Sequence, residues 1–243
     1  MPYPLAHPAV VLPLTRFCPQ WLSLPALIVG SLSPDMAYAL VGLEAQRFSH
    51  QLIGAVVFCL PAGLLALWVL HRVSPWVVRY LPEAYRRVLL PLCQRPLGSP
   101  LVLAVSVLIG ALTHLFLDSF THKDGWITEH WAVLQIPLYQ HGHRTLRVCH
   151  GFWYLCSFAG IVWVCLAYQE WLAKINASAE AVTRGARLGN AILLAAAVMF
   201  VSISHYLTRH WSANFVEGAC TLLIVAMFAM RTGTLPEVKD FRR

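Results

Sequence analysis

Residues 100–122 read PLVLAVSVLIGALTHLFLDSFTH. A bilayer core of about 30 Å takes about 20 apolar residues of helix, each rising about 1.5 Å. The run 100–120 meets that length, and its only ionisable side chains are His114 and Asp118. Four further runs of similar length and character occupy 52–71, 151–171, 188–208 and 212–230. A sixth, 21–42, is interrupted by Pro25, Gly30, Pro34 and Asp35 and reads either as a span or as a broken, re-entrant element. The expected fold is all-α: a polytopic membrane helical bundle of five or six transmembrane helices. It forms one integral membrane domain over 1–243, and its first fifty residues are an N-terminal motif segment.

Composition agrees. Of 243 residues, 58 % are hydrophobic and 12 % charged, where a soluble domain carries about 45–50 % and 25 %. Mean hydropathy is +0.61. These values exclude disorder and an ordinary cytosolic enzyme. The formal net charge of +7 is spread over short loops between apolar runs, which fits membrane topology and argues against nucleic acid as a partner. The seven cysteines form no C-x-x-C pair. Cys59, Cys156, Cys165 and Cys220 lie in apolar runs and read as small apolar residues, not as a disulfide framework. Residues 1–19 lack a basic n-region and are broken by prolines, so no cleavable leader is expected.

With six spans, thirteen of the eighteen Lys and Arg fall on one set of alternating flanks and five on the other. The positive-inside rule then places the basic loop 72–99 and the C-terminus in the cytoplasm, and the loops 43–51 and 121–150 outside. Only Arg16 votes on the N-terminus, whose side stays open. Within 74–97, Arg79, Arg86 and Arg87 alternate with Trp76, Tyr80, Leu81 and Leu89, the pattern of an interfacial stretch or an ordinary cytoplasmic loop. Trp126, Trp131, Trp153 and Trp171 read as belt residues.

Charge inside a span is costly, so its placement is informative. Asp35 lies in Gly30-Ser31-Leu32-Ser33-Pro34-Asp35 and His50 in Phe48-Ser49-His50. His114, Asp118 and His122 follow one another at i, i+4, i+8. All five fall near the outward ends of their segments. A His and an Asp one helical turn apart can share a metal ion. His114 and His122 cannot both join it on a straight helix, because eight residues rise about 12 Å and metal–nitrogen bonds are about 2.1 Å. Either the helix breaks near Ser119, or His122 serves a second ion or acts in proton transfer. The plain alternative is that such residues bond their neighbours and lock helices together. On spacing alone His7, in Leu5-Ala6-His7-Pro8, reads as a surface histidine and His141 as a solvated loop residue. The turn between the last two runs is enough to explain His205, His210 and Glu217.

The segments Leu5-Ala6-His7-Pro8-Ala9, Gly30-Ser31-Leu32-Ser33-Pro34-Asp35, Phe48-Ser49-His50, Gly110-Ala111-Leu112-Thr113-His114 and Asp118-Ser119-Phe120-Thr121-His122 resemble a family of bacterial multi-pass membrane proteins, the domain-of-unknown-function family 4184. The resemblance runs from residue 1 to about 230, with its motifs in the first 145. It is similar in pattern to a larger group named membrane-bound metal-dependent hydrolases. The resemblance implies His7, Asp35, His50, His114 and Asp118 as ligands and an N-terminal segment folded back on the outer face. His122 matches the Phe-Thr-His end of the motif. His141 matches a Gln-His, but Gly142-His143 stands where the family has Ser-Ser.

Three functions are compatible with these residues. In the first, Asp35, His50, His114 and Asp118 bind Zn²⁺ or Mn²⁺, and His122 or His7 is a further ligand or a proton shuttle. The chain is then a metal-dependent hydrolase of an ester or phosphoester at the outer face of the bacterial inner membrane, with membrane lipids as neighbours and a lipid-like or small-molecule substrate. In the second, the cluster is structural and the protein non-catalytic. In the third, the chain is a metal- or proton-coupled transporter.

Overall fold

The computed structural model describes residues 3–14, 21–40, 43–80, 83–141 and 144–175. The expected spans 188–208 and 212–230, with Cys220, His205, His210 and Glu217, lie outside them. In chain order the elements are a 3-10 turn (Pro4–Ala6), α1 (Pro8–Val11), α2 (Leu24–Leu40), α3 (Leu43–Ser49), α4 (Leu52–Val78), α5 (Glu83–Cys93), α6 (Pro100–Thr121), α7 (Trp126–His130), α8 (Ala132–Gln135), a hairpin of β1 (Pro137–His141) and β2 (Arg144–Arg147), and α9 (Val148–Ile175).

Three stretches among the described residues, Leu52–Val78, Pro100–His130 and Val148–Tyr168, are long and apolar enough to cross a membrane. Only 28 %, 33 % and 22 % of their most apolar windows are buried inside the protein. Leu65, Leu101, Phe116 and Leu155 are among the large side chains left facing outward. Water does not suit so much contiguous apolar surface, whereas lipid does.

The interrupted run 21–42 folds as one uninterrupted helix, α2. Its 17 residues make a rod of about 26 Å, short of a full span. Pro34 sits inside it and lacks the N–H that would bond the carbonyl of Gly30. The Ser33 hydroxyl donates to that carbonyl instead, at 2.8 Å. A side chain thus replaces the missing backbone bond, and the helix survives its proline. The run read as 52–71 extends to Val78, with a π-helical stretch at Ala55–Cys59. The basic segment read as an interfacial stretch or loop supplies the end of α4 and the amphipathic α5.

Helices α2 and α6 cross backbone to backbone. A Cβ at Gly30 would fall on the Val107 carbonyl, and one at Gly110 on the Leu27 carbonyl and the Ser31 nitrogen. Small residues permit such approach where dispersion replaces the hydrophobic effect as the packing force. Ala26, Val29, Leu67, Leu103 and Val107 fill the adjoining core. The start of α2 is pinned by Ser23 N–H donating to the Ser106 hydroxyl at 2.9 Å. At the N-terminus, Tyr3 N–H donates to the Ser157 hydroxyl at 2.9 Å. Ala6 packs where a side chain on Gly160 would stand. The first residues are thereby strapped onto α9.

The segment read as an outward loop contains structure. β1 and β2 pair antiparallel, Tyr139 opposite Leu146 and Gln140 opposite Thr145, with an irregularity between Pro137 and Tyr139. Arg147 donates to the Gln135 side-chain oxygen at 2.8 Å and ties the hairpin to α8.

Candidate metal centre

Four separate segments deliver polar side chains to one point. The crossing at Gly30 and Gly110 brings Asp35, on the last turns of α2, opposite His114 and Asp118 on the last turns of α6. Ser49, ending α3, donates its hydroxyl to the Pro34 carbonyl at 2.9 Å, and so sets the next residue, His50, beside them. The strap against α9 carries His7 into the same place, where it is only 1 % exposed.

Two imidazoles are oriented by backbone carbonyls. His114 donates from Nδ1 to the Ser31 carbonyl at 2.7 Å. His50 donates from Nδ1 to the Gln46 carbonyl at 2.8 Å. A carbonyl only accepts, so each Nδ1 carries a proton and each ring turns its Nε2 inward. There His50 Nε2 lies 3.6 Å from Asp35 Oδ1 and 3.4 Å from Asp118 Oδ2. His114 Nε2 lies 3.5 Å and 3.3 Å from the same two oxygens. Both nitrogens of His7, Nε2 of His50 and of His114, and all four oxygens of Asp35 and Asp118 are buried with no hydrogen-bond partner among the described residues. Eight orphaned polar atoms at one point would cost several kcal/mol if nothing joined them.

A divalent cation fits that donor set. Two donors that share an ion through bonds of about 2.1 Å stand no more than about 4.2 Å apart, and the four histidine-to-carboxylate separations fall inside that limit. His7, His114 and Asp118, and separately Asp35, His50 and His114, offer ligand atoms within 4.8 Å of one another. A carbonyl that accepts from the other ring nitrogen is a usual means of fixing the tautomer of a metal-binding histidine. Protonated histidine is the other species able to satisfy a carboxylate at this distance. Burial pulls His50 down, but the facing carboxylates of Asp118 and Asp35 outweigh it and lift the ring to about 9. Burial, with neighbouring His114, holds His7 at about 3, so that ring stays neutral.

The sequence pattern of the family described as Domain of unknown function (DUF4184) matches residues 1–235. The chain belongs to this family. No curated protein and no solved structure matches it. Most of the DUF4184 chain therefore lies within one family unit, and the five converging side chains come from its first half.

Asp35, His50, His114 and Asp118 meet at the centre. His7, a surface residue by spacing and a ligand by resemblance, is buried against His114. Helix α6 does not break at Ser119; it ends at Thr121, with His122 as its extended C-cap. His122 Nδ1 donates to the Asp118 carbonyl at 3.1 Å and lies 3.7 Å from Asp118 Oδ1, at the rim with 34 % of its side chain exposed. His141 closes β1. The carbonyls of Ser31 and Gln46 carry no sequence signal, because any residue supplies a carbonyl.

Proposed function

We propose that this protein is a membrane-embedded metal-dependent hydrolase of an ester or phosphoester. Asp35, His50, His114 and Asp118 hold the ion. The observation that carries the reading is the set of four Nε2-to-carboxylate separations of 3.3–3.6 Å between atoms that are buried and have no hydrogen-bond partner among the described residues. Imidazole and carboxylate donors suit Zn²⁺ or Mn²⁺. A bound ion would polarise a phosphoryl or acyl oxygen and acidify a water there. The chain's own residues do the rest. Ser31 and Gln46 carbonyls fix the two imidazoles, the apolar faces of α2 and α6 exclude bulk water, and His122 at the rim moves a proton between site and solvent. Asp118, His114 and His50 lie near one end of two apolar stretches, a position that supports a centre near headgroup depth and a lipid-like substrate. The distribution of Lys and Arg favours the outer face of a bacterial inner membrane.

A structural role for the cluster is the second reading, favoured by the elevated His50, whose protonated form would bond both carboxylates. Metal content decides between them. Detergent-purified wild type is compared with His114→Ala and Asp118→Ala by ICP-MS, after reconstitution with zinc or manganese. Near-stoichiometric metal in wild type, lost in both folded variants, supports the hydrolase. Well-folded wild type that takes up no metal overturns it.

A further inference from the structure

The Asp118 carboxylate turns its two oxygens to different nitrogens. Oδ2 faces His50 Nε2 at 3.4 Å and His114 Nε2 at 3.3 Å. Oδ1 faces His7 Nε2 at 3.9 Å and His122 Nδ1 at 3.7 Å. His122 Nδ1 already donates to a backbone carbonyl. His7 is fully inside, both of its nitrogens lack a hydrogen-bond partner among the described residues, and its Nε2 lies toward Oδ1.

His7 is poorly aimed to share an ion with His114, although their ligand atoms are close. The two rings are stacked, with centroids 3.7 Å apart and planes inclined by 12°. An imidazole lone pair lies in the plane of its ring. An ion in the plane of His114 therefore stands well out of the plane of His7, where the His7 lone pairs do not point. Two nearly parallel rings point at two positions.

We propose that His7 Nε2 and Asp118 Oδ1 form a second divalent-cation position beside the first, with the Asp118 carboxylate bridging the two ions. This rests on the reading that Asp35, His50, His114 and Asp118 hold the first ion. Carboxylate-bridged pairs stand about 3.5–4 Å apart, a spacing that matches the stack of the two histidines. Among the described residues the second position has two protein donors against four for the first, so it fills later and exchanges faster. The strap from Tyr3 to Ser157 and the seat of Ala6 on Gly160 hold its histidine in place.

The test is a Mn²⁺ titration of the metal-stripped, detergent-purified full chain, read by ICP-MS and low-temperature EPR. Wild type is expected to bind two ions per chain in two steps. The second should replace the hyperfine-split spectrum of an isolated ion by that of an exchange-coupled pair, a readout that needs no variant. His7→Ala and His7→Gln should each bind one ion, uncoupled, with first-step affinity within about threefold of wild type. One ion in wild type that persists in both variants overturns the second position and leaves the first intact. Loss of all metal in both variants at unchanged melting temperature makes His7 a ligand of a single ion and also overturns it. No metal in wild type overturns the underlying reading as well.

Discussion

Ser33 shows how one hydroxyl decides the course of a helix. Without it the Gly30 carbonyl would be an unsatisfied buried acceptor beneath Pro34, at a cost of about 1–3 kcal/mol. Ser33→Ala is expected to destabilise the protein by that amount in denaturant unfolding in detergent. In a Pro34→Ala background position 34 regains its N–H, so the same substitution should cost less than half as much. An equal cost in both backgrounds would refute the compensation. The same stretch shows what could be read from residue types. His114 and Asp118 were legible, because i, i+4 spacing in an apolar run places two polar groups on one face. The continuity of α2 was not, because Pro34 is a helix breaker by type and the Ser33 bond that replaces its missing donor shows only in three dimensions. His122 has its own test. His122→Ala should retain the metal while hydrolysis of a p-nitrophenyl phosphodiester falls by about 10²–10⁴-fold, the range for a lost proton-transfer group. Unchanged turnover would remove His122 from the reaction.

At the scale of elements, the α2–α6 crossing positions the centre. His114 lies one turn beyond Gly110, and its bond to Ser31 depends on the two backbones touching. Gly110→Ala would drive a methyl into backbone atoms of Leu27 and Ser31, which cannot retreat as a flexible side chain can. It is expected to cost about 1–3 kcal/mol and to weaken metal binding at the same time. Gly151→Ala is the control. On α9 its nearest neighbour would be the Leu138 side chain at 3.9 Å, an ordinary contact. There the better helix former should be neutral or stabilising by up to about 1 kcal/mol. Equal losses at both positions, by unfolding midpoint and metal retention, would show that the crossing has no special weight. The placement of His7 belongs to this scale too. Its burial comes from Ala6 seated on Gly160 and Tyr3 bonded to Ser157, partners more than 150 residues away in the chain. Local spacing around Leu5-Ala6-His7-Pro8 holds no trace of that contact. The hairpin of β1 and β2 was missed for a related reason, since it is short and stands in a segment whose polarity is that of a loop.

For the whole molecule, two antiparallel spans set which side the centre faces. His50 precedes the start of Leu52–Val78, and Asp118 stands near the end of Pro100–Thr121, so both project at the same end of the pair. Arg95 and its basic neighbours lie between these spans at the other end. If the concentration of Lys and Arg in 72–99 fixes that end in the cytoplasm, Asp124 must face the opposite compartment. Both side chains are exposed, so each position can report its side. In a chain with its native cysteines replaced, Asp124→Cys should react with a membrane-impermeant maleimide in intact bacteria. Arg95→Cys should react only after the membrane is permeabilised. The reverse pattern would turn the molecule over and place the centre, and the substrate it meets, on the cytoplasmic side. The two ends also differ in chemistry. An outward centre is open to the metal ions of the periplasm or medium, and chelation there should strip the weaker of two ions first. Brief EDTA treatment of intact cells before purification is therefore expected to lower metal content in steps, whereas a cytoplasmic centre would keep its full complement.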